Sequence, residues 1–157
     1  MIKSNDWVRG LIAGIAGGAA WFIGILLFFG PAQIILTNPD LQSAKMLVVF
    51  TEEPLPRASE APWILIAGLF TIGALWGMVY VYLIPAFKGS WWKRGLRFGA
   101  IGWILMVPWF QFYLPWNVLL EPALLVLLEM TCWSGVLLLT GLTIAGVEQK
   151  LDKKNVI

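Results

Sequence analysis

The chain has 157 residues, of which 59% are hydrophobic and 13% charged, with a formal net charge of +2 and a mean hydropathy of +0.79. That balance lies far from soluble domains and close to integral membrane proteins, and with no basic face it leaves no nucleic-acid partner to expect. There is no histidine and a single cysteine, Cys132. The commonest ligand of haem and transition metals is therefore missing and no intrachain disulfide can form, so no cofactor and no metal site is expected.

Four apolar runs account for the composition. Gly10–Leu36, Ala61–Phe87 and Phe98–Leu120 hold no charged residue, and Pro122–Val147 holds only Glu129. A helix needs about 20 apolar residues to cross the hydrocarbon core, and each run is long enough. The expected fold is an all-α integral membrane protein, one domain over residues 1–157. Its four transmembrane helices are expected over about 8–30, 62–86, 94–115 and 118–147, with an external loop at 31–61 that carries a short interfacial helix. The first run exceeds the apolar core of a signal peptide, so it is read as a spanning helix.

Charge sets the orientation. Lys3 and Arg9 precede the first helix, Lys88, Lys93, Arg94 and Arg97 lie between the second and third, and Lys150, Lys153 and Lys154 follow the fourth; these are nine of the eleven basic residues. Four crossings put all of them on one side, and the positive-inside rule makes that side the cytoplasm. Trp7, Trp91 and Trp92 then fall at the inner boundary and Trp63, Trp109, Tyr113 and Trp116 near the outer one, where amphipathic rings belong. Trp21, Trp76, Trp103 and Trp133 are deeper, with indole N–H groups that need partners inside the bundle.

The first helix opens on Arg9-Gly10-Leu11 and continues through Gly14 and Gly17. The third repeats the pattern R-G-L-x-x-G-x-x-G as Arg94-Gly95-Leu96, Gly99 and Gly102. Glycines at i, i+4 and i+7 share one helix face, where a second backbone can come close. Gly10, Gly14, Gly17 and Gly24 form such a face, as do Gly73 and Gly77 in the second helix and Ser134, Gly141 and Ala145 in the fourth. These faces suit either the neighbouring helices or a partner protein or second copy. Because both motif helices start on the same side, the two hairpins read as parallel repeats about an axis along the membrane normal.

In the external connection, Asn38, Pro39 and Asp40 read as the cap and first turn of a helix running to about Thr51. Its apolar end suits a segment lying on the bundle rim or at the acyl boundary. Pro108 interrupts the third helix and frees the carbonyl of Ile104. The outer turn to the fourth helix is tight: that helix is expected to start between Asn117 and Pro122, with Asn117 able to cap and Glu121 in or beside the first turn, where it complements the helix dipole.

Glu129 is the residue singled out for chemistry. At ~1.5 Å per residue it lies about 12 Å below the outer boundary, where a carboxylate must face the bundle interior or be protonated. Gln111, Tyr113 and Thr140 complete the expected intramembrane polar site. The same stripe of the fourth helix carries Cys132, Trp133, Val136 and Thr143. The cluster Trp91, Trp92, Lys93, Arg94 and Arg97 is expected to anchor the chain at the lipid headgroups, anionic lipid in particular.

Together the R-G-L-x-x-G opening, Trp76-Gly77-x-x-Tyr80 in the second helix and the stretch Ser90–Gly99 resemble small four-helix bacterial inner-membrane proteins of unknown function. The resemblance spans most of the chain and implies a fold and a bacterial inner-membrane location, without a reaction. Two function classes stay in view: a non-enzymatic bundle acting by helix association, as an accessory subunit or membrane organiser, and a small transporter, channel or ligand-binding protein with an outward cavity around Glu129. An enzyme is the least supported class, since no paired carboxylates and no nucleophile–base arrangement occur in the apolar runs.

Overall fold

The computed structural model describes residues 4–154, so Lys3 and the two extreme ends lie outside the described residues. The chain is an all-α membrane protein with four long apolar spans, Asp6–Leu36, Pro62–Ala86, Trp91–Val118 and Ala123–Lys153. The first span is α1 (Ser4–Gly24), a π turn (Ile25–Phe29) and α2 (Gly30–Leu36); the second is α5 (Pro62–Leu83) closed by a 3₁₀ turn (Ile84–Ala86). The third is α6 (Trp91–Gln111) running into a π turn (Phe112–Val118), and the fourth is α7 (Ala123–Lys154). Between the first two spans lie the short helices α3 (Ala44–Thr51) and α4 (Arg57–Glu60).

The boundaries differ from expectation in four places. The first span continues past Pro31 to Leu36, because a proline in the first turn of α2 gives up no hydrogen bond the helix needs. The third begins at Trp91 and reaches Val118 through the π turn, and the fourth starts at Ala123 and runs to Lys154. The interfacial helix begins at Ala44 and is capped by Ser43, whose hydroxyl accepts from the Met46 N–H at 3.0 Å. Asn38 instead accepts from the Asp40 N–H in a turn, a competing local bond that Asn side chains favour.

The second span packs on the first, the first on the fourth and the fourth on the third, so the spans run in the order second, first, fourth, third. Glycine sets these distances. A methyl carbon placed on Gly10 would lie 2.9 Å from the Gly77 carbonyl oxygen, and one on Gly18 as close to that of Leu69. At the other hairpin, carbons on Gly95 and Gly99 would lie 2.8 Å and 2.6 Å from the carbonyl oxygens of Gly141 and Leu137. Only backbone without a side chain fits there. The motif is divided between two neighbours, which corrects the single-face reading. Gly10 and Gly14 face the second span, whereas Gly17 faces Ile144 and Gly24 faces Val136 of the fourth; Gly95 and Gly99 face the fourth, whereas Gly102 faces the Trp76 ring.

The second and third spans stand apart, and Trp76 reaches across between them to Gly102 and Phe98. It belongs to a file of edge-to-face rings along the bundle, Phe29–Trp133–Trp21–Trp76–Phe98–Tyr80, with neighbouring centroids 5.1 to 6.1 Å apart. Large rings fill the axis where the backbones cannot meet. In the half of the second span near Pro62, Trp63 is 67% exposed, and Ile64, Leu65, Ile66 and Ala67 are exposed as well. That half leaves the bundle, and a gap opens beside the third span.

Candidate ligand cavity and the polar groups around it

At the end that carries the long connection, here the loop end, the third span widens before it turns. Pro115 has no N–H to give, and the π turn around it holds one more residue per turn than an α-helix. The chain then reverses at Leu120, a non-glycine residue with φ of 59°, fixed by bonds from Leu119 N–H to the Leu114 carbonyl and from Glu121 N–H to the Pro115 carbonyl, both 2.9 Å. This turn leaves Leu120 exposed and drives Glu121 inward, to 1% exposure. Glu121 thus lies beside the first turn of α7 and not in it, since that helix starts two positions later.

The connection straps this turn down. The Ser43 hydroxyl donates to the Leu119 carbonyl, and Lys45 Nζ lies 3.5 Å from the Val118 carbonyl oxygen. Gln42 lies beside Glu121, donates its amide to the Leu36 carbonyl, and keeps its own carbonyl oxygen buried without a partner. Neither Glu121 carboxylate oxygen has a close hydrogen-bond donor. Burial pushes the Glu121 carboxyl above the usual carboxylate range, and Gln42 pulls the other way.

Below this cap lies a cavity of about 310 Å³ between the first, third and fourth spans. Met106, Val107, Phe110 and Leu137 make its walls apolar, and Trp21, Gln111 and Trp133 close its inner side. Two polar atoms are buried at this lining without a hydrogen-bond partner, Trp21 Nε1 and Gln111 Oε1, on residues 4% and 5% exposed. Buried polar groups are normally satisfied, so each exception calls for a reason. The neighbouring Trp103 shows the usual state, its Nε1 donating to the Met130 carbonyl at 3.2 Å. The lining also includes Phe110 and Leu114, both exposed on the bundle surface.

Glu129 is half-buried on α7, one helical turn before Trp133, and borders the cavity without lining it. Gln111 and Glu121 both lie close enough to act on it, so Gln42, Glu121, Glu129 and Gln111 are neighbouring polar groups between the cap and the cavity wall. Gln111 lies near Glu129, and the two other residues of the expected polar site are placed elsewhere. Tyr113 is exposed and stacks on Trp109 with centroids 5.3 Å apart. Thr140 is fully buried but donates to the Val136 carbonyl of its own helix. Thr143 likewise donates to Leu139, and the Cys132 thiol to the Phe28 carbonyl across the first span. The expected polar stripe therefore carries no continuous path.

The anchor cluster also divides. Trp92 is exposed under Lys93, whose Nζ lies 5.3 Å from its ring centre, and Arg97 donates to the Lys88 carbonyl at 2.6 Å. Trp91 covers Gly146. Arg94 turns toward the bundle, with its Nε buried, because the fourth span supplies a carboxylate that the charge count alone did not reveal. Glu148, 2% exposed, lies 3.6 Å from Arg9 and within the field of Arg94. Arg9 also pairs with Asp6 at 2.8 Å and with Asp152, while the buried Tyr80 hydroxyl completes the cluster. Arg9 and Arg94 hold the same place in the two motif copies, and that equivalence was the available signal for a shared acidic partner.

No group of three or more metal-ligating side chains occurs among the described residues. No family model, curated protein or solved structure matches this chain.

Proposed function

We propose that this protein binds a small lipid-soluble molecule inside the membrane, in the cavity between the first, third and fourth spans. One observation carries the reading: an apolar cavity of about 310 Å³ whose lining holds two buried polar atoms with no partner of their own. Ligand sites are mostly apolar concavities with a few polar groups that fix orientation. The cavity meets the exposed side chains of Phe110 and Leu114, so a membrane-dissolved molecule enters sideways, past these two residues.

On the charge bias both ends of the chain are cytoplasmic, in a membrane that the resemblance makes a bacterial inner membrane, and the cavity then lies in the outer half of the bilayer. On this reading Trp92, Lys93 and Arg97 mark the inner boundary, where anionic lipid collects. The two motif helices descend from one duplicated hairpin. Action by association with a partner or a second copy is the weaker reading, because Gly10, Gly14, Gly73, Gly77, Gly95 and Gly99 are all covered by this chain's own helices.

The test is to extract the protein from its membrane, identify small molecules that travel with it by native mass spectrometry, and repeat with the double variant Trp21→Phe, Gln111→Leu. A molecule that accompanies the wild type and is lost from the folded variant supports the proposal; an identical profile for both defeats it.

A further inference from the structure

We infer that the ligand's polar end is a neutral hydroxyl group on an apolar body of about ten carbon atoms, drawn from the bilayer. The inference rests on the binding role proposed above and specifies its ligand. Trp21 Nε1–H can only donate, and a carbonyl oxygen such as Gln111 Oε1 can only accept. Both are buried at one cavity wall without partners. The group that satisfies them has to accept a hydrogen bond from the indole and donate one to the amide.

The second requirement comes from the amide itself: of its two polar atoms, it is the carbonyl oxygen, Gln111 Oε1, that is buried without a partner, so the ligand has to bring a donor to it. Ketones, ethers and esters offer only acceptors and would leave Gln111 Oε1 bare. An ammonium group offers only donors and would leave the indole bare. A carboxylate only accepts, so it too would leave Gln111 Oε1 bare. A hydroxyl serves both positions with one oxygen.

Size and source follow from the walls. At roughly 30 Å³ for a group the size of a water molecule, 310 Å³ holds about ten such groups. Met106, Val107 and Leu137 offer the body only apolar contact, and the opening between Phe110 and Leu114 faces the side that lipid covers. Bilayer alcohols therefore reach the site directly, whereas a soluble polyol would have to pass the strapped cap.

The experiment uses the full-length protein in lipid nanodiscs and calorimetric titration with 1-decanol, decyl methyl ether, 2-decanone, decanoate and glycerol. Decanol should bind about tenfold more tightly than the ether or the ketone, the scale of one buried carbonyl left without a donor. Decanoate and glycerol should bind no more tightly than the ether. In Gln111→Leu the preference for decanol over the ether should vanish while both still bind. Wild-type protein that binds ether or ketone as tightly as decanol overturns the hydroxyl assignment but leaves the cavity a ligand site. Glycerol binding as tightly as decanol overturns the bilayer source. Failure of decanol, the ether, the ketone and decanoate all to bind overturns the binding role itself. The wild-type comparison needs no variant, so a misfolded Gln111→Leu would not rescue the inference.

Discussion

The two ends of this bundle solve the packing of four apolar helices in opposite ways. At the basic end, glycines let backbones meet, Ala13, Ile144 and Ala145 are fully buried between them, and the charges of Arg9 and Arg94 gather around Glu148. At the loop end, both motif spans widen into π turns, the second span leaves the bundle, and large rings stand where glycine stood. Helix association in lipid depends on close van der Waals contact, because hydrocarbon outside a span is as apolar as its neighbours. Where contact is given up, something else has to fill the space. The closed end builds the scaffold, and the open end holds the cavity.

The closed end should be the less forgiving. A carbon on Gly77 would lie 2.5 Å from the Gly14 Cα, against backbone that cannot yield. Gly77→Val should therefore separate the first two spans and cost about 4 kcal/mol or prevent assembly. Gly68, with nothing within 4 Å, offers the matched control. Gly68→Ala should be neutral or slightly stabilising, since alanine favours the helix by about 1 kcal/mol. Melting of both variants in detergent checks this; a Gly77→Val protein that melts with the wild type would show that the glycines do not set the helix spacing.

The next effect tests the charges of the same end. Removing Glu148 as Glu148→Leu leaves Arg9 and Arg94 facing a buried site without their shared carboxylate, a loss of about 3 kcal/mol for breaking one side of a buried ion pair. Glu148→Gln, which keeps a hydrogen-bond acceptor, should fall between. If Glu148→Leu melts like wild type, water reaches the arginines and the cluster is not closed.

Much of the closed end was legible in the sequence, because run length, glycine spacing and charge are local properties. The division of the glycine stripe between two neighbours was not. Four residues advance a helix by one turn and about 40°, whereas seven fall about 20° short of two turns. Gly10, Gly14 and Gly18 therefore drift toward the second span, and Gly17 and Gly24 drift the other way toward the fourth. At the open end, Glu129 and Gln111 were legible as polar residues at membrane depth. Tyr113 lies about 200° round the helix from Gln111 and so faces outward. Glu121 could not be placed from the sequence, because its burial depends on the left-handed turn at Leu120 and on a strap whose Ser43 lies 76 residues before Leu119.

Glu121 lets the open end be probed by pH. Its folded pKa lies above its ordinary value of 4.5, with burial as the main cause. Between those two values the folded protein holds a proton that the unfolded chain has lost. Stability from this group therefore falls as pH rises from 4.5 through the folded value, the reverse of an ion-paired carboxylate. Gln42 and Glu129 are the polar groups facing it. Glu121→Gln, permanently neutral, should lose that slope and melt above the wild type at neutral pH. Parallel slopes for the two proteins would mean that Glu121 reaches water.

The smallest effect isolates the strap. Ser43 makes two bonds with one hydroxyl, accepting from the Met46 N–H to cap α3 and donating to the Leu119 carbonyl beside the turn that buries Glu121. Ser43→Ala removes both and should cost about 1 kcal/mol, the scale of a lost helix cap. Ser43→Asp can restore the cap but, as an acceptor only, cannot donate to Leu119, so the two roles separate. Hydrogen exchange followed by mass spectrometry should show faster exchange over residues 44–51 in the alanine variant and over 119–122 in both variants. The Gly10–Gly77 region should be unchanged in either, because that end owes nothing to the strap. Protection of 119–122 that survives in both variants would assign the turn's stability to the Leu119 and Glu121 backbone bonds alone, and the cap over the cavity would then be a property of the hairpin and not of the connection that crosses it.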